Sequence, residues 1–201
     1  MHDMTDFMDE FLKTYGLEVS QQLSSHPDIK QDTALKMLPI IAPMILSGLK
    51  RQAEQHGGSD EKARATRVNH ILNKYGDASV LDHIGEEFEY RAQDTHPDPQ
   101  LGGLLGDSGT QAADMISRQF NMDTSTAMKL IIMLAPVILG ALTNKRDTGG
   151  IGSRGIASLI DQDGDDQILD DVIGFLLNSR KQMNSKNGSD LLGSLLGELM
   201  K

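Results

Sequence analysis

Cysteine is absent from the sequence. That excludes a disulfide framework, a Cys-ligated zinc and a thiol nucleophile, and it suits a reducing compartment. Tryptophan is absent as well, and only 5 Phe and 3 Tyr supply aromatic rings. A core must therefore be built from Leu, Ile, Val, Met and Ala. Positive charge is scarce: Lys+Arg 19 against Asp+Glu 29 leaves a formal net charge of −10. A nonspecific nucleic-acid binder needs a basic track. The basic pair Lys145-Arg146 is flanked by Asn144 and Asp147, too few positive charges for that role. No apolar stretch follows the acidic start Met1-His2-Asp3-Met4-Thr5-Asp6, so no secretory leader is expected. The longest uncharged, apolar-rich run is Leu130 to Thr143, which contains Pro136 and Gly140. It falls short of the ~20 apolar residues of a membrane-spanning helix, so a buried helix in a cytoplasmic protein is expected.

What the sequence has is internal repetition. Ala34-Leu35-Lys36-Met37-Leu38-Pro39-Ile40-Ile41-Ala42-Pro43-Met44-Ile45-Leu46-Ser47-Gly48-Leu49 lies over Ala127-Met128-Lys129-Leu130-Ile131-Ile132-Met133-Leu134-Ala135-Pro136-Val137-Ile138-Leu139-Gly140-Ala141-Leu142, with Pro43 on Pro136. The segment from Leu72 to Ile84 lies over that from Ile160 to Val172, with Gly76 on Gly164. Leu101-Gly102-Gly103-Leu104-Leu105-Gly106 lies over Leu192-Gly193-Ser194-Leu195-Leu196-Gly197. Three blocks in one order give a repeat of about 90 residues, the size of a domain rather than of a solenoid unit. The expected division is 1–100 and 101–201, with Gln93 to Gln100 as the linker.

The periodicity is helical. Phe7, Met8, Phe11, Leu12 and Tyr15 share one helix face,. Asp32, and Asp123 or Thr124, are expected to cap the two apolar helices, which Pro43 and Pro136 are expected to kink or interrupt. Val68, Ile71, Leu72 and Tyr75 mark a third helix, capped near Ser59. Ile168, Leu169, Val172, Ile173, Leu176 and Leu177 mark another, with a counterpart from Val80 to about Tyr90. Loops are expected at His56-Gly57-Gly58-Ser59, His96-Pro97-Asp98-Pro99 and Thr148-Gly149-Gly150-Ile151-Gly152. No alternating β-branched run is present. The fold class is all-α: two homologous helical repeats with Pro-interrupted apolar helices in the core, packed with a pseudo-two-fold relation.

Leu134-Ala135-Pro136-Val137-Ile138-Leu139-Gly140-Ala141-Leu142, the acidic segment from Asp161 to Asp171 and the Leu/Gly tail after it together resemble a YidB-like bacterial domain-of-unknown-function family. The resemblance covers most of the second copy and, more weakly, the first, which departs in the acidic segment. It implies a small, all-helical, cytoplasmic protein with no established activity.

The acidic segment offers the one constellation with plausible chemistry. Asp161, Asp163 and Asp165 alternate as in positions 1, 3 and 5 of an oxygen-ligand calcium loop, with Asp170 or Asp171 available to close a shortened one,. Against this, Asp166 stands where the sharp turn wants Gly, and Val172 where a bidentate Glu is expected,. The competing reading places Asp165 and Asp166 at a helix N-terminus, where the macrodipole favours negative charge. In the first copy Tyr75 replaces a carboxylate, so at most one such site per chain is expected. Gly150-Ile151-Gly152-Ser153-Arg154-Gly155 spells a dinucleotide motif, but a helix rather than a strand precedes it. It reads as a loop entering a short helix. Gly106-Asp107-Ser108-Gly109 lacks a His base in context and reads as a turn before a helix capped by Ser108 or Thr110. The six His are scattered, with His70 and His83 expected to face solvent.

Leu191, Leu192, Leu195, Leu196 and Leu199 form an apolar stripe, with Gly193 and Gly197 four apart. Small residues at that spacing let helices approach closely, while each Gly costs about 1 kcal/mol in a helix, so this tail needs a partner surface. The leading expectation is a non-catalytic cytoplasmic interaction or scaffold protein. It would bind an unknown protein partner or self-associate through the tail, without nucleic acid, membrane or resident cofactor. The alternative is a calcium-binding module using Asp161, Asp163, Asp165 and Asp170.

Overall fold

Phe7, Met8 and Phe11 are buried on one face of the first helix, α1 (Met4–Leu23), and Val19 and Leu23 continue that face. The computed structural model describes residues 4–25, 29–93 and 99–162. Among these, every regular element is helical. After α1 come α2 (Gln31–Gly57), α3 (Glu61–Tyr75), a 3-10 helix (Ala78–Asp82), α4 (Ile84–Gln93), α5 (Pro99–Phe120), α6 (Thr124–Asp147) and α7 (Gly152–Gln162). All of them belong to one compact unit, Met1–Asp163. The all-α class follows. The acidic residues Asp163, Asp165 and Asp170 and the Leu/Gly tail lie outside the described residues, as does most of the expected linker.

The core is organised around α6. Every residue from Met133 to Thr143 is buried. A helix apolar around its whole circumference has no solvent face to offer, and α6 packs against every other described element. Its close partners are α5 and the 3-10 helix, followed by α2 and α3. α2 is the second core helix. It buries Leu38, Ile41, Ile45, Leu46 and Leu49 completely and packs against α3, α1 and α5.

The prolines do not interrupt these helices. α2 runs through both Pro39 and Pro43, and α6 runs through Pro136. An internal proline costs about 3 kcal/mol through a lost hydrogen bond and a carbonyl clash. A fully buried Leu, Ile or Val contributes roughly 1.5–3 kcal/mol. α6 buries Leu130, Ile131, Leu134, Val137, Ile138, Leu139 and Leu142 completely, so tertiary burial outweighs the local penalty. α2 and α6 are also, by length and composition alone, long and apolar enough to cross a membrane; most of each apolar window is buried within the protein.

Other boundaries differ from the sequence reading in detail. Lys30, not Asp32, holds the N-cap position of α2, without a side-chain bond, and Asp32 sits in the first turn. Asp60 rather than Ser59 caps α3, accepting from Lys62 N at 2.9 Å and Ala63 N at 3.3 Å. The helix expected from Val80 to Tyr90 is split into the 3-10 helix and α4. Asp77 accepts from Ser79 N at 2.9 Å and tightens that first turn. Gly106 to Gly109 lie inside α5, which starts at Pro99 without a turn there. Proline at a first helical position is pre-organised, and Ala112, Ala113 and Ile116 bury the later turns. Asp123 does cap α6, accepting from Thr126 N at 2.8 Å, Thr126 Oγ1 at 2.6 Å and Ser125 Oγ at 2.5 Å.

Two glycines let the chain cross α6 at close range. A Cβ on Gly140 would stand 2.8 Å from both Asp77 O and Val80 Cγ1. One on Gly76 would stand 2.7 Å from Leu139 O and 2.9 Å from Thr143 Oγ1. The turn after α3 is thus seated on α6 backbone to backbone, where neither side can yield.

Two outcomes follow. Gly140→Ala gains about 1 kcal/mol of helix propensity but overpacks a backbone contact, a cost of about 1–3 kcal/mol; its urea midpoint should fall. The second concerns pH. The Ser125 and Thr126 hydroxyls and the Thr126 N–H hold the Asp123 carboxyl well below the usual carboxylate range. A depressed folded-state pKa gives stability present above the unfolded value of roughly 3.9 and lost as pH falls below it. The gap in urea midpoint between the parent and Asp123→Ala should be constant from pH 5 to 8 and shrink below about pH 4.

Candidate functional site

One group of hydrogen-bonded polar side chains gathers where α3, α6 and α7 meet. α3 carries Arg64, Arg67, Asn69 and Asn73, and its apolar residues Ala65, Val68, Ile71 and Leu72 are buried. The polar residues beside that stripe therefore flank the helix contacts. At one end, Arg146 near the C-terminus of α6 donates from Nη1 to Asn69 Oδ1 at 2.6 Å and to Asn73 Oδ1 at 2.8 Å. Its Nε and Nη2 grip both oxygens of Asp147 at 2.6 and 3.0 Å. The guanidinium holds the Asp147 carboxyl below the usual carboxylate range, and that carboxylate raises Arg146 in return. Ser153, in the first turn of α7, donates to the same Asn69 Oδ1 at 3.0 Å. One amide oxygen thereby ties three helices.

At the other end, Arg64 joins α2, α3 and α7. Its Nη1 donates to Gly58 O at 3.1 Å and its Nη2 to Asp161 Oδ2 at 3.0 Å. Arg64 also packs over Gly57, where a Cβ would meet Arg64 N at 2.5 Å. Arg67 donates from Nη2 to Gln52 Oε1 on α2 at 3.2 Å. Among the described residues, the Nε atoms of Arg64 and Arg67 and the Thr143 hydroxyl are buried with no hydrogen-bond partner. The Arg64–Asp161 side chains are 23% and 28% exposed, so the ion pair contributes little more than about 1 kcal/mol.

Of the residues expected to hold calcium, Asp161 is the described one. It lies in the last turn of α7 with its carboxylate on Arg64, inside a helix rather than in an open loop. Asp163, Asp165 and Asp170 lie outside the described residues, so their relation to Asp161 is not part of this geometry. Among the described residues no three His, Cys, Asp or Glu side chains converge as a metal site. The Gly150–Gly155 motif is a turn entering α7, with positive φ of 71° at Gly150 and 62° at Gly152. His70 and His83 are exposed; His83 Nδ1 lies 3.8 Å from Glu86.

The sequence reading gave no structural role to Arg64, Arg146, Asn69 or Asn73. One signal was available. The sequence alignment of Leu72–Ile84 with Ile160–Val172 sets Asn73 against Asp161, and each of these receives an arginine from another helix: Arg146 on Asn73 and Arg64 on Asp161.

This arrangement joins helices. Arg146, 11% exposed at its side chain, is the most committed member. Arg146→Ala should lower stability by about 2 kcal/mol, the scale of lost charge-assisted hydrogen bonds. Arg146→Lys should recover less than half, because an ammonium lacks the fork that spans Asp147 and α3 together. Urea titration of the three proteins measures both effects.

Comparison with known proteins adds a family. No curated protein and no solved structure matches the chain. The family model of the bacterial protein of unknown function (DUF937) matches residues 9–146 and again 143–200. The first match runs from α1 to the end of α6, through the helix crossings described above. With nearly its whole length covered by those two matches, the chain belongs to the DUF937 family of bacterial proteins.

Proposed function

We propose that this protein is a non-catalytic cytoplasmic scaffold, built from two copies of one helical half and meeting its partner through the Leu/Gly tail at 189–201. The observation that carries the reading is the use made of charge between the helices. Arg64 on Asp161, Arg146 on Asn69 and Asn73, and Lys145 on Glu10 each join two elements. These polar groups are committed to holding the described body together. The tail is the sequence feature that still calls for an apolar partner surface, supplied by another protein or by a second copy.

The two-copy reading has its own support. α2 starts at Gln31 and α6 at Thr124, the same spacing that lays Pro43 over Pro136. Exchanging α1, α2 and α3 for α5, α6 and α7 preserves most of the packing. α1 on α2 has its match in α5 on α6, α3 on α6 in α7 on α2, and α2 on α5 in α6 on α1. α2 on α6 and α3 on α7 are their own counterparts. That is the pattern expected of an isologous dimer joined into one chain. An experimental structure in which α1–α3 cannot be superposed on α5–α7 by a half-turn would overturn it.

The scaffold reading is tested by ending the chain at residue 188. Sedimentation and partner capture should lose an assembly that the full chain forms, while the thermal midpoint stays the same. Association that survives the truncation would remove the tail from the proposal. The same preparations separate this reading from the calcium alternative, in which Asp161 would have to leave Arg64. Millimolar calcium against a chelator should leave the midpoint of the full chain unmoved. A ligand at about 100 times its Kd would add roughly 2.7 kcal/mol, and a rise of that size would make the acidic segment a metal site.

A further inference from the structure

We draw no further inference here: the strongest candidate, the half-buried Pro43–Ser47–Lys50 stripe of α2, whose sequence counterpart Pro136–Gly140–Thr143 on α6 lies beneath the Gly76–Asp77 turn, has nothing among the described residues to show what covers it.

Discussion

A helix buried on all sides must be enclosed by other elements, and α6 imposes that requirement on the whole described unit. Its residues from Met133 to Thr143 have no exposed face, so neighbours are needed around the full circumference. α5 and α2 supply part of the enclosure, and α3 and α7 another part. The turn after α3 closes it at Gly140. That closure works only because glycine stands on both sides of the crossing. With a side chain at either Gly76 or Gly140 the backbones could not come so near, and the side of α6 under the 3-10 helix would lose its cover.

Polar chemistry serves the same enclosure. An all-apolar helix gives little directional information, since aliphatic side chains repack with small losses. Arg146 at the end of α6 and Arg64 on α3 supply direction. Each reaches across to fixed acceptors on another helix and so sets how the helices are rotated and staggered. Asp60, Asp77 and Asp123 do the corresponding work at helix starts. The excess of acid over base in the composition is thus used in part for caps.

Much of this was legible in the sequence, for identifiable reasons. The α1 face, the α6 cap at Asp123 and the two apolar core helices came from periodicity and capping chemistry, which act locally. The fate of the prolines was not legible. Their local cost is certain, but the compensating burial depends on neighbours far along the chain. The continuity of α5 through Gly106 and Gly109 was hidden for the same reason. The single expected helix from Val80 to Tyr90 divides because a turn capped by Asp77 fits the glycine seat on α6, and periodicity does not register a seat on another helix. At the candidate site, residue types suggested chemistry at Asp161, whereas the geometry gives that carboxylate to Arg64. The partners Arg64, Arg146, Asn69 and Asn73 are ordinary polar residues until the helices are assembled.

The position of α6 in the chain has a consequence for synthesis. Bacterial and other domains emerge N-terminus first, at about 5–20 residues per second. α1 through α4 are complete by Gln93, and α6 begins only at Thr124. Until it appears, the underside of the 3-10 turn and part of α2, α3 and α4 have no apolar surface to close upon. The first half of the nascent protein therefore waits, with hydrophobic surface uncovered, for a helix encoded downstream. Its window of exposure to chaperones and to misassociation is set by the length of message between the end of α4 and the end of α6.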